Sequence, residues 1–478
     1  MQQKRTSLDK VMSGMDLFGL AFGAMIGWGW VVLAGDWLRL GGVLGTVVAF
    51  AVGALMCILV SIVYAELTSA MPVAGGPFVF VYRGLGENFG WLAGWTTIVA
   101  YISVAAWESV AIVAAIDYVI PMPKLVYLWT VAGENVYLSW SLIGVFISLG
   151  IVFLNCRGTR LSTHAQNLGT KLLLIAGLGF LLTSAFKGTV SNIEPVWVSG
   201  AGTSAVIMMV PFMMVGFDVI PQSAEEAKVS PKIIGILLVI SVVAASLWYI
   251  LISLGLGFAI PETLRNSSRL SVCVAMEAML GHPLWGKLVA LGGICGILTS
   301  WNAFFLAASR VLFSMGRAGM LPPWLAHVDP DTGTPIRAIM LVGVMCAMAP
   351  FLGSNALTWL ANVGGLSTCI TYLMVSMALV RLRFTEPEMD RPFRAGRSIC
   401  LGVLAVLTTG WFVSLYLPIG SSSLCWPYEW AVVLVLGGLG IGAFWFYRKN
   451  RDRLSTQERD YMIYGNLVEN GKFTRDAR

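Results

Sequence analysis

Apolar stretches of about 20 residues recur about twelve times along this chain, each nearly free of charge, and that pattern excludes most folds. They begin near Met15, Val43, Gly90, Tyr137, Asn167, Ala201, Ile233, Leu284, Ala338, Leu357, Ile399 and Trp430. A soluble domain carries about 25% charged residues, whereas here 12% are charged and 57% are apolar. So little polar surface will not cover a fold in water, but lipid lets apolar side chains face outward. Within hydrocarbon every backbone polar group needs an internal partner, and runs this long and continuous satisfy that as helices. The expected fold class is an all-α integral membrane protein with about 12 transmembrane helices.

An even number of spans puts both termini on one side. Of the 31 Lys and Arg, 24 fall in segments facing that side, six fall opposite, and Lys171 lies within a span. Lys4, Arg5 and Lys10 precede the first span, and Lys472, Arg475 and Arg478 belong to the basic tail that starts at Arg448. The positive-inside bias puts both termini in the cytoplasm and the protein in the cytoplasmic (inner) membrane as a multi-pass chain. The net charge of +6 is then a topology signal, not a nucleic-acid footprint. No cleavable leader is expected, because the basic start runs straight into an apolar stretch longer than a signal sequence. The cysteines form no C-x-x-C pair, and His164, His282 and His327 are scattered, so no metal or cofactor is expected.

Two spans carry helix breakers in their middles. The first reads Gly23-Ala24-Met25-Ile26-Gly27-Trp28-Gly29-Trp30, and the sixth runs from Pro211 through Val215-Gly216-Phe217-Asp218 to Pro221. Breaking a helix in hydrocarbon strands backbone N–H and C=O groups, which is tolerable only where protein, water or a solute satisfies them. Interrupted spans at matching places in two halves point to an inverted repeat with a binding site at its interface. The expected division is an N-terminal segment (1–14), a first repeat (15–190), a second repeat (191–383), two further spans (384–447) and a tail (448–478).

Local strings resemble one known family. Tyr64-Ala65-Glu66-Leu67, Gly75-Gly76-Pro77-Phe78 and Gly90-Trp91-Leu92-Ala93-Gly94-Trp95 are similar to its second-to-third-span signature. Gly216-Phe217-Asp218 with Ala224-Glu225-Glu226-Ala227-Lys228 resembles its sixth-span signature, and Ala308-Ser309-Arg310-Val311-Leu312-Phe313 resembles the stretch after its eighth. Taken in order, these resemble the amino acid–polyamine–organocation permeases. The resemblance implies a five-plus-five inverted-repeat (LeuT-type) transporter with discontinuous first and sixth helices, binding solute where they unwind. Physical chemistry agrees: half-helix N-termini attract a carboxylate and loose carbonyls an ammonium.

Substrate contacts are expected from Ala24, Ile26, Gly27, Trp28, Gly29 and Trp30 in the first break, Val215, Gly216 and Phe217 in the sixth, Ala105, Glu108 and Ser109 on the third span, and Trp301 on the eighth. Trp28 replaces the small residue usual between the two glycines; it is either an aromatic wall for a cation or packing between helices. Glu108, an acid within a span, is a counter-ion for a cationic solute, a proton carrier or a structural hydrogen-bond partner. Lys171 resembles a fifth-span lysine that couples proton movement to opening, although counted from Gly158 it falls two residues early; the other reading is a snorkelling lysine. Thr299, Ser300 and Asn302 are either oxygen ligands for sodium or helix–helix glue. Asp218, Glu225 and Glu226 are expected to cap and to pair with arginines at the inner end.

The resulting expectation is a secondary carrier for an amino acid or related amine, working by alternating access and either proton-coupled or an exchanger. A cationic amine or polyamine carrier with Glu108 as counter-ion is the alternative. A membrane enzyme is disfavoured by the absence of any nucleophile–base motif, and no catalytic residue is expected. A sensor is disfavoured by a tail too short for a signalling domain. The partners expected are a small-molecule substrate, the lipid bilayer and, for the coupled reading, protons.

Overall fold

The computed structural model describes residues 5, 8–268, 270–396, 398–418 and 424–469. Of the basic residues that set the orientation, Lys4, Arg269, Arg397, Lys472, Arg475 and Arg478 lie outside these. Among the described residues the chain is helical almost throughout. The first span begins as α1 (Gly14–Met25), capped by a Ser13/Asp16 capping box. It unwinds over residues 26–28 and resumes as α2 (Gly29–Val32), which runs into α3 (Ala34–Ala70). Within α3, Gly42 at φ +71° turns the chain back. A Cβ there would sit 2.8 Å from the carbonyl oxygens of Pro195 and Val196, so only glycine fits.

A short helix α4 (Pro77–Leu85) leads to α5 (Glu87–Val119), followed by a hairpin of β1 (Tyr127–Val131) and β2 (Glu134–Tyr137). Next come α6 (Leu138–Cys156), α7 (Thr159–Lys187) and α8 (Gly200–Met214). The chain then unwinds over residues 215–218 before α9 (Val219–Gln222). Helix α10 (Pro231–Ala259) is followed by two short helices, α11 (Glu262–Arg265) and α12 (Ser271–Leu280), and by the long α13 (Pro283–Arg317). Helices α14 (Ile336–Met348), α15 (Ala356–Thr385), α16 (Cys400–Tyr416) and α17 (Tyr428–Lys449) follow. Two further helices, α18 (Thr456–Tyr464) and α19 (Asn466–Glu469), follow.

Among the described residues, ten helical segments are long and apolar enough to cross a membrane. The two remaining expected spans fall on shorter apolar helices, Ile336–Leu352 and Cys400–Tyr416. Burial falls outward: α17 is largely exposed, with Leu434, Val435, Leu439 and Ile441 bare, as befits a lipid-facing helix. The most enclosed elements are α1, α5, α13 and α15. The second unwound stretch packs on the end of α1 beside the first, since a Cβ on Gly216 (φ +136°) would lie 2.8 Å from the Met25 nitrogen.

The first and last described segments meet on one face of the bundle, where Arg5 Nε donates to the Met462 carbonyl. That face holds the buried ion pairs. Arg310 meets Glu226 at 2.8 Å, both almost fully buried, and Arg317 and Arg5 meet Glu225 at 3.0 and 3.1 Å. Glu66 is flanked by Arg383 and Arg391. Isolated buried charges would cost several kcal/mol each, and pairing offsets that. The expected pairing of Glu225 and Glu226 with arginines is thus found. The N-terminal segment seals the same face: Val11 and Met12 N–H donate to the Glu226 carbonyl and Lys228 N–H to that of Met12.

Candidate functional site

The two unwound stretches meet beside a small cavity lined by five elements. The first break contributes Ala24, Met25, Gly27, Trp28 and Gly29; the second contributes Val215, with Phe212 and Met213 from the end of α8. Helix α5 adds Val104, Trp107 and Glu108, α10 adds Tyr249, and α13 adds Ser300 and Phe304. The wall is apolar and aromatic except for Glu108, Ser300 and exposed backbone.

Helix α13 comes close enough to the first break to shape it. A Cβ on Gly296 would fall 2.6 Å from the Gly27 carbonyl oxygen, and one on Gly293 only 2.1 Å from the Trp28 ring. The six-membered ring of Trp28 therefore packs against Gly293 of α13. Tyr249 fixes the end of α1 by donating to the Met25 carbonyl at 2.7 Å. Thr299 donates to the Gly23 carbonyl at 3.3 Å. The N–H groups of Gly27, Trp28 and Gly29 meet no acceptor among the described residues.

Glu108 is the charged group of the cavity wall. It is 2% exposed, the Ser300 hydroxyl is its hydrogen-bond partner, and its Oε2 has none among the described residues. No ion pair of Glu108 occurs among the described residues. A carboxylate so placed calls for a cation or a proton.

Of the residues expected to contact solute, Ala24, Gly27, Trp28, Gly29, Glu108 and Val215 come together here. Seven others lie outside the lining. Trp30 stands edge-on against Trp248 at 5.8 Å, because two residues along a helix turn the side chain to the opposite side. Ser109 donates to the carbonyls of Ala106 and Cys346. Ala105 and Trp301 are buried in packing between helices, one position off the facing register. Ile26 is buried, and Gly216 serves as the pivot of the second break. Phe217 packs against Tyr64 and Tyr372 at 5.5 and 5.4 Å, below the cavity rather than across it.

Lys171 needs a correction. It is exposed on α7, while the face turned toward α1 carries Gln166 and Thr170, and a Cβ on Gly23 would meet both. The two-residue offset from Gly158 turned the lysine outward. Asn302 bonds to Asn155, Ser162 and Gln166, so it ties α13 to α6 and α7 as glue. Residues that sequence reasoning did not place at the solute site include Val104, one turn before Glu108 on α5, Trp107 beside it, and Phe304 on α13, while Ser300, read as a sodium ligand or helix–helix glue, lines the cavity one turn before Phe304. Tyr249 sits in an unbroken apolar span with nothing local to mark it.

The sequence matches the amino acid permease family over residues 12–456. It is 27% identical over 424 residues to the branched-chain amino acid permease BcaP of Bacillus subtilis, covering 85% of this chain and 89% of that protein. It is 28% identical over 427 residues to the methylthioribose transporter of the same organism, covering 86% and 89%. Human cationic amino acid transporter 4 is 28% identical over 402 residues, covering 80% of this chain and 61% of the relative.

Proposed function

This chain belongs to the amino acid permease family of the amino acid–polyamine–organocation superfamily, and from that premise we propose that it moves an amino acid or related amine by alternating access, with the solute seated between the two helix breaks. It is a membrane transporter, not an enzyme. The observation that carries the site assignment is Glu108, a buried acid with an unpartnered oxygen facing a cavity at both breaks. The solute ammonium neutralises Glu108, while the free N–H groups of the first break receive a carboxylate. Transport is driven by a proton gradient or by exchange.

The five-plus-five inverted repeat, with residues 15–190 and 191–383 as its halves, is supported by the two breaks lying side by side. The positive-inside excess places the face where the first and last described segments meet in the cytoplasm. The ion pairs of Glu225 and Glu226 and the strand-like contact of Val11 and Met12 then close the cytoplasmic side. A second reading, a cationic amine without a carboxylate, is favoured by the indoles of Trp28 and Trp107 beside Glu108.

Thermal stabilisation separates them. A ligand that binds only the folded protein at 100 times its Kd adds about 2.7 kcal/mol. Amino acids should stabilise the parent, and Glu108→Gln should lose most of that effect. Stabilisation by amines lacking a carboxylate, but not by amino acids, would favour the second reading. No response to either class would sink the assignment.

A further inference from the structure

Beneath the cavity, on the side of the terminal face, a second acid is buried without a cation. Asp218 follows the pivot Gly216 and is 2% exposed. Its Oδ2 accepts from the Tyr101 hydroxyl at 2.9 Å and its Oδ1 from the Gly216 N–H at 3.0 Å. Tyr101 Oη also reaches the Asp218 carbonyl at 3.0 Å, and Gln222 Nε2 donates to Tyr101 Oη at 3.4 Å. Two further tyrosines, Tyr64 of α3 and Tyr372 of α15, lie close enough to interact electrostatically with Asp218. Both are almost fully buried, and among the described residues their hydroxyls have no hydrogen-bond partner, nor does Gln222 Oε1.

Among the described residues, the titratable groups that interact with Asp218 are Tyr64 of α3, Tyr101 of α5 and Tyr372 of α15. No ion pair of Asp218 occurs among the described residues. Tyr101 precedes Glu108 by two helical turns, roughly 10 Å along α5.

We propose that the Asp218 carboxyl group, among these three tyrosines, binds the proton that couples solute movement to a proton gradient. The proposal rests on the carrier reading given above. With the terminal face closed, Tyr101 and the Gly216 N–H bond the carboxylate in its charged form and tie α9 to α5. Opening that face requires α9 to leave Tyr101, and a bare carboxylate in a low-dielectric interior costs several kcal/mol. A proton taken from the outward-facing cavity turns the carboxylate into a neutral acid, which no longer needs those donors. Once the face has opened, water accepts the proton and Asp218 is again an anion. One proton thus crosses per cycle, and no other reactant is consumed.

The test uses the full chain in liposomes with an imposed pH gradient and each radiolabelled protein amino acid that stabilises the parent. Asp218→Asn should keep thermal stabilisation by that amino acid and keep solute–solute counterflow. It should lose accumulation driven by the pH gradient. Undiminished gradient-driven accumulation would overturn the proposal and leave the carrier reading intact; loss of counterflow together with accumulation in a folded variant would also overturn it. Should Asp218→Asn fail to fold, Tyr101→Phe serves, because it removes a donor that favours the charged carboxylate. Its pH profile of uptake should then move relative to the parent, and an unmoved profile refutes the assignment. A parent that takes up no amino acid would remove the carrier reading and this proposal with it.

Discussion

Trp28 and Gly293 show how one residue on a neighbouring helix sets the shape of the cavity. The indole lies over Gly293 because no side chain occupies that position on α13. Gly293→Ala would place a Cβ 2.1 Å from the ring, too close to persist. The ring must move toward the cavity, at an overpacking cost of about 1–3 kcal/mol. The expected outcome is a lower thermal midpoint together with weaker stabilisation by solute, measured in one titration series. An unchanged solute affinity would mean that Trp28 moves elsewhere and does not bound the site. Glu108 is legible at this scale from the sequence alone, because an acid within an apolar run is costly wherever its helix ends up. Trp30 and Ser109 were not distinguishable from true lining residues, since which side of a helix faces a cavity depends on partners that the local string does not contain.

At the scale of elements, the seal across the terminal face joins the N-terminal segment, the turn after α9 and the end of α13. Glu225 is its hub: burial alone would raise its pKa, but Arg317 and Arg5 outweigh that and hold it down at about 2, against an ordinary 4.5. A depressed carboxylate pKa stabilises the folded, sealed state at every pH above the unfolded value, and the contribution fades only as pH falls from about 4.5 toward 2. The stability due to this cluster should therefore be flat from pH 6 to 8. A thermal midpoint that tracks Glu225-dependent titration in that window would contradict it. Glu225→Gln removes the charge while Arg317 stays buried, and the expected loss is about 3–5 kcal/mol, read by thermal denaturation. The breaks themselves were readable as elements, because glycine and proline in mid-membrane strand backbone groups whatever surrounds them. What each freed group binds was not readable: the Met25 carbonyl goes to Tyr249, 224 positions away.

Across the whole molecule, the tail reaches back to the beginning of the chain. Arg459 of α18 donates to Glu87 and to the Ala318 carbonyl, Tyr82 donates to Asp460 at 2.9 Å, and the Met462 carbonyl accepts from Arg5. Ending the chain after Asn450 removes these four contacts. At about 1 kcal/mol per hydrogen bond the loss should be roughly 2–5 kcal/mol, seen as a lower thermal midpoint, with the helices of the bundle still inserted. A midpoint equal to that of the full chain would show the tail to be mere decoration. The sequence by itself determined that the chain is a helical membrane protein, roughly where its spans run, where two of them break and which family it resembles. Those properties follow from hydropathy, charge and breaker residues, which act locally and need no knowledge of neighbours. Only the tertiary structure decided which faces of the helices meet: that Lys171 points away while Gln166 and Thr170 point in, that Phe217 joins Tyr64 and Tyr372, and that Asp218 sits among three tyrosines drawn from three helices. Those outcomes depend on rotation about each helix axis, where an offset of one or two residues turns a side chain by about 100–200°.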